Sequence, residues 1–174
     1  MNYAEIKTTD IANGEGVRVS LFVSGCTHHC KNCFNSVAWD FDYGKPFTKE
    51  TQQFLFEALA PDYITGLTLL GGEPMEPKNQ EALLPFVEAV KERFPNKTIW
   101  CYTGYTLQDN GIFQEDRANC GATKKLLSLI DVLVDGRFVE ELKDIRMVFR
   151  GSSNQRVIDL KRTIESKSVV LYLT

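Results

Sequence analysis

The sequence predicts an α/β fold: a partial, open βα barrel of about six mainly parallel strands, built as one domain over residues 1–174. Three observations predict it. Short apolar runs rich in β-branched residues alternate with longer segments whose apolar residues recur at helical spacing. Glycine-containing motifs follow directly after the expected strands. The 174 residues, 43% of them apolar, suffice for one sizeable core and show no repeat, linker or low-complexity tract.

The elements are expected in this order. "VSLFVS" (19–24) is the first strand, with a cysteine-rich loop directly behind it. "KETQQFLFEAL" (49–59) is a helix with Thr48 available as its N-cap. "LTLL" (67–70) is the second strand and runs into "GGEP". From Asn79 to Phe94, Leu83, Val87, Val90 and Phe94 share a helical face; Pro85 is expected to kink this helix or to sit in its first turn. "TIWCYTG" (98–104) is a third strand and its turn, "TKKLLSLI" (123–130) a helix, and "DVLVDG" (131–136) a fourth strand and its turn. "RMVFRGSS" (146–153) is read as a fifth strand, "NQRVIDLKRTIES" (154–166) as a helix, and "SVVLYL" (168–173) as the last strand.

Five motifs thus stand immediately after strands: "SGC", "GGEP", "TGY", "VDGRF" and "RGSS". In parallel α/β folds such strand ends gather on one face, where ligands bind. Each motif alone makes an ordinary turn. Their shared position predicts one functional face.

Bulk properties exclude several classes. The net charge of −3, from 20 basic and 23 acidic residues, leaves no basic surplus to neutralise phosphates, which argues against a nucleic-acid partner. No apolar stretch approaches the roughly 18 residues of a spanning helix. "MNYAEIKTTDIANGEG" has no apolar stretch of the kind a secretory signal needs. A cytoplasmic protein without a membrane partner is expected. Five cysteines, an odd number in a chain of this length, do not form a disulfide framework.

Three of them, Cys26, Cys30 and Cys33, fall in "SGCTHHCKNCFN" (24–35) with C-x3-C-x2-C spacing. From one flexible loop, three thiolates can converge on a small inorganic centre. A structural zinc site needs a fourth ligand, for which only His28 or His29 is near. A [4Fe–4S] cube normally takes four thiolates. With three, one iron keeps an open position for a small molecule. Otherwise His28 and His29 are read as solvated loop residues or as hydrogen-bond donors near the sulfurs. Cys101 is expected to be a buried small hydrophobe, and Cys120 to be incidental. Asp135 in "VDG" either faces the site from the fourth strand end or forms a plain turn. Arg150 and "GSSN" offer charge and hydroxyl contacts, or a helix cap.

C-x3-C-x2-C after a first strand, with Gly-Gly-Glu-Pro after the second, resembles the radical S-adenosylmethionine enzymes. The resemblance implies a [4Fe–4S] cluster on Cys26, Cys30 and Cys33, with the open iron bound by S-adenosylmethionine. It implies that Gly71, Gly72 and Glu73 hold the cofactor's amino group, and that Asn32, Cys33 and Phe34 lie near its adenine. No protein acid, base or nucleophile is implied, because the cofactor carries the chemistry. Asn32 stands where many members have an aromatic residue.

Across nearly the whole chain, "NGEGVR", "LFVSGC", "GGEP", "IWCYTGY", "DVLVDGRF" and "RGSSNQRVI" resemble the family that activates anaerobic ribonucleoside-triphosphate reductase. Glu15 departs from the proline that related activases more often carry. The resemblance implies reductive cleavage of S-adenosylmethionine to methionine and a 5′-deoxyadenosyl radical. That radical removes a Cα hydrogen from a glycine in the reductase's glycyl-radical domain, the electron coming from a low-potential donor such as flavodoxin. The alternatives are activation of another glycyl-radical enzyme of the pyruvate formate-lyase type, the same radical used on a small molecule, and a non-catalytic, zinc-stabilised binding module.

Overall fold

Eight strands and four helices organise the chain in a computed structural model that describes residues 1–174. The first half holds β1 (Asn2–Asp10), β2 (Val17–Val23), β3 (Lys45–Pro46), α1 (Lys49–Leu59), β4 (Ile64–Gly71) and α2 (Pro77–Arg93). The second half holds β5 (Thr98–Tyr102), α3 (Thr123–Leu129), β6 (Val132–Asp135), β7 (Arg156–Asp159), α4 (Leu160–Ser166) and β8 (Leu171–Leu173). All strands join one sheet in the order β3-β1-β2-β4-β5-β6-β7-β8. Only β2, β4, β5 and β6 run parallel. On one side β1 and β3 are antiparallel, and on the other β7 and β8 are too.

The expectation of about six mainly parallel strands is therefore corrected to a mixed sheet of eight. Two strands escaped the sequence reading because their patterns are weak. β1 is largely exposed or half-buried along its length, so it carries no apolar run. β3 has only two residues. The segment 146–153 is loop, and the strand is β7, inside the stretch read as helix. Asp159 explains the boundary: its side chain accepts from the Arg162 N–H at 3.0 Å, so the helix starts at Leu160 and leaves Val157 and Ile158 to the sheet. β7 can run antiparallel because no α-helix lies between it and β6 to carry a right-handed crossover.

Local chemistry accounts for the helices. Thr48 caps α1, and Thr48 and Thr51 form a reciprocal capping box. α2 begins with Pro77 in its first turn, where the missing N–H costs nothing, and continues through Pro85.

Strand alternation buries both faces of the sheet. Val19, Leu21 and Val23 of β2, Leu67 and Leu69 of β4, Ile99 and Cys101 of β5 and Leu133 of β6 join a core of 26 buried residues. Leu55 and Leu59 of α1, Phe86, Val87 and Val90 of α2, Leu126 of α3 and Leu160 of α4 belong to the same core. Trp100, Val132, Val134 and Val157 form a smaller cluster backed by Tyr102, Phe149 and Leu173. Beside Trp100 lies Arg18, which is fully buried. Its guanidinium donates to Thr68 Oγ1, to the Leu67 and Thr98 carbonyls at 2.8 Å each, and to Thr98 Oγ1 and the Glu15 carbonyl. Burial pulls the Arg18 pKa down to about 10. No helix is long and apolar enough to cross a membrane.

Candidate functional site

The four parallel strands end at one edge of the sheet, and that edge is the site. β2 ends at Val23 and opens into Ser24-Gly25-Cys26; β4 ends at Gly71; β5 ends at Tyr102, before Thr103 and Gly104; β6 ends at Asp135. "RGSS" reaches the same edge by a different route. It precedes the antiparallel β7, whose first residue Arg156 pairs with Asp135.

Over this edge lies a cavity of about 360 Å³, within the range typical of small-molecule sites. Cys26, Cys30 and Cys33 all line it, as do Gly71, Gly72 and Glu73. Phe34 lines its mouth while remaining 92% exposed. Asn32 is exposed, sits in the left-handed region at φ 57° and is not part of the wall. Asp135 is absent from the wall as well. Its carboxylate is committed to Arg156, at 2.9 Å from Nε and 2.5 Å from Nη2, and accepts the Leu107 N–H at 2.8 Å. Cys101 is buried as a core residue, as expected.

The cysteine loop is tied down at several points. Gly25 N–H donates to the Ala38 carbonyl and Cys26 N–H to that of Trp39. Thr27 donates to Glu76 through both its N–H and its hydroxyl, and His29 stacks on Trp39 with ring centroids 4.3 Å apart. Two glycines let the β4 turn press against this loop. Gly71 has φ 111°, and a Cβ on Gly72 would lie 2.7 Å from the Gly25 carbonyl oxygen.

Glu73 is the centre of the arrangement and is 1% exposed. Oε1 accepts from the Met75 N–H and the Thr103 hydroxyl, both at 2.8 Å. Oε2 accepts from the Gly104 N–H at 2.7 Å and contacts His28 Nε2 at 2.8 Å. The sequence reading gives Thr103 and Gly104 no role, although "TGY" marks their position, and leaves His28 as a zinc ligand, a solvated loop residue or a donor near the sulfurs. His28 is no solvated residue: its side chain is 2% exposed.

Two observations test whether the site suits a cluster and a polar cofactor. All three thiols are free and line the same cavity, a donor set suited to iron and sulfide. No three His, Cys, Asp or Glu side chains already stand as a ready metal-ligand set. Burial pushes the Cys26 thiol up to about 12 and raises Cys30, so metal charge is what would make them thiolates. Second, His28 Nδ1, Trp39 Nε1, Tyr102 Oη and Arg150 Nε are buried without a partner, and all four residues line the cavity. Buried polar groups ordinarily find partners, so such a cluster suits a polar ligand.

Known proteins resemble this chain along most of its length. A family model described as a 4Fe-4S single cluster domain matches residues 12–158. A protein of Haemophilus influenzae named anaerobic ribonucleoside-triphosphate reductase-activating protein is 46% identical over 157 residues, covering 89% of this chain and 96% of its own. Proteins of the same name from Escherichia coli K12 and bacteriophage T4 are each 41% identical. They cover 92% and 90% of this chain, and 100% and 93% of their own. A cavity walled by three free cysteines and a Gly-Gly-Glu turn, within so extended a match, places the chain in the 4Fe-4S single cluster domain family, among the anaerobic ribonucleoside-triphosphate reductase-activating proteins.

Proposed function

We propose that the chain activates an anaerobic ribonucleoside-triphosphate reductase by installing a glycyl radical, with Cys26, Cys30 and Cys33 holding a [4Fe–4S] cluster and S-adenosylmethionine bound beside it. The observation that carries this reading is that the cysteine loop and the Gly71-Gly72-Glu73 turn wall one cavity. In this reading the open sheet is the partial barrel of radical S-adenosylmethionine enzymes, and the working unit is one domain over 1–174. When bound, the cluster and cofactor supply one-electron reductive cleavage of a sulfonium and, through it, hydrogen abstraction from a glycine Cα. A low-potential donor of the flavodoxin kind provides the electron.

The chain's own residues bind, orient and shield. Gly71 and Gly72 give a ligand access to the backbone, and Glu73 holds the cysteine loop and the β5 turn in register around it. Trp39, Phe138 and Phe149 wall the cavity and keep water from it. Support for a protein substrate, rather than a small molecule, comes from the rim. The segments that wall the cavity expose Phe34, Val37, Ile145 and Val148, with Phe34 at 92% and Ile145 at 91%. Exposed apolar residues gathered around a site suit a partner surface.

Anaerobic cluster reconstitution, followed by assay of 5′-deoxyadenosine with and without the reductase, tests the reading. Wild type is expected to cleave S-adenosylmethionine, and each of Cys26→Ala, Cys30→Ala and Cys33→Ala to abolish it. Cleavage retained in any one variant refutes the ligand assignment. Activation of a pyruvate formate-lyase but not of the reductase refutes the partner.

A further inference from the structure

His28 is positioned more tightly than a loop residue between two cysteines requires. Three strand ends hold its ring. It leaves the β2 end with the cysteine loop, its Nε2 lies 2.8 Å from Glu73 beyond β4, and its face meets Tyr105 beyond β5 edge-on, with centroids 4.4 Å apart. Gly104 makes room for it, since a Cβ there would lie 2.6 Å from His28 Cδ2.

The contacts with Glu73 fix one nitrogen, and the other follows for a neutral ring. The other three partners of Glu73 are donors, so the carboxylate acts as an acceptor and Nε2 carries the hydrogen. In a neutral imidazole the remaining nitrogen then bears a lone pair. Nδ1 is that nitrogen, and it is buried without a partner on a residue that lines the cavity. Cluster sulfurs only accept hydrogen bonds, so they cannot satisfy it. A ligand N–H or O–H can.

We propose that His28 binds the cofactor directly, Nδ1 accepting a hydrogen bond from the ammonium or a ribose hydroxyl of S-adenosylmethionine while Glu73 holds Nε2. The inference rests on the cofactor reading above and adds to it a specific contact from inside the cysteine motif. It also divides labour between the two residues: Glu73 positions the ring, and His28 touches the ligand.

The experiment titrates anaerobic, cluster-loaded protein with three probes. S-adenosylhomocysteine is the whole, non-cleavable analogue, methionine carries the ammonium alone, and 5′-methylthioadenosine carries the hydroxyls alone. His28→Gln keeps an amide N–H for Glu73 and removes the Nδ1 acceptor. Iron content and melting temperature are expected to match wild type, while S-adenosylhomocysteine affinity falls about tenfold, the loss expected for one hydrogen bond. The fragment carrying the donor shows the same loss, and the other fragment shows none. Wild-type affinity in iron-replete His28→Gln overturns the proposal. If His28→Gln does not fold, His28→Asn, which places an amide near the Nδ1 position, decides. Affinity close to wild type supports the contact, and a folded, iron-replete His28→Asn as weak as His28→Ala overturns it. Wild type that binds none of the probes overturns the cofactor reading itself.

Discussion

Glu73 shows how a single carboxylate can set a site without facing the ligand alone. Four protein contacts occupy its two oxygens, so most of its accepting capacity is used before a cofactor arrives. Glu73→Gln offers one acceptor oxygen where two stood and turns its own N–H groups toward donors. The variant is expected to lose about 2 kcal/mol or more of stability, read by urea denaturation, together with affinity for S-adenosylhomocysteine. An unchanged denaturation midpoint would sink the idea that this carboxylate holds the turns together. The glycines and the glutamate were legible in sequence because "GGEP" is contiguous. The hub was not, because its partners His28 and Thr103 lie 45 and 30 residues away. Asp135 stands outside the cavity wall for a similar reason. An Asp after a strand advertises itself locally, whereas Arg156, which claims it, sits 21 residues on.

At the scale of elements, the four parallel strands and the exposed β8 were readable as apolar runs, and β1, β3 and β7 were missed. β2, β4, β5 and β6 read as apolar runs, and α1 announced itself through Thr48. β1 faces solvent, and β7 hides its two buried residues ahead of a capped helix whose spacing they happen to continue. "RGSS" nonetheless arrived at the predicted edge, because reversing the strand turned a trailing loop into a leading one. Arg18 fastens the parallel strands from within: it leaves β2, reaches Thr68 and Leu67 on β4 and Thr98 on β5, and takes part in no ion pair. Arg18→Lys cannot span those acceptors, so buried carbonyls lose their donors. A loss of about 2 kcal/mol or more is expected in chemical denaturation. A shift within error would mean that the packing of Trp100, not the guanidinium, holds this face.

In the proposed function the whole molecule separates two tasks, holding the reactive centre and meeting a partner. Ile145 is 91% exposed and lies in a segment whose neighbours wall the cavity, yet it does not line it. Ile145→Asp is therefore expected to leave S-adenosylmethionine cleavage in the absence of the reductase unchanged. It should weaken binding of the reductase about tenfold or more, the scale of an interfacial hot spot. Isothermal titration against the reductase, beside the uncoupled cleavage rate, distinguishes the two; equal loss in both would place Ile145 in the catalytic machinery instead.

None of residues 24–37 belongs to the 26-residue core, whose members come from the strands, the helices and their adjoining turns. The segment proposed to hold the cluster therefore meets the scaffold through hydrogen bonds, to Glu73, Glu76, Ala38 and Trp39, rather than through shared apolar packing. Loss of a cluster held there is expected to leave the apolar core packed, and a melting curve of the metal-free protein checks it.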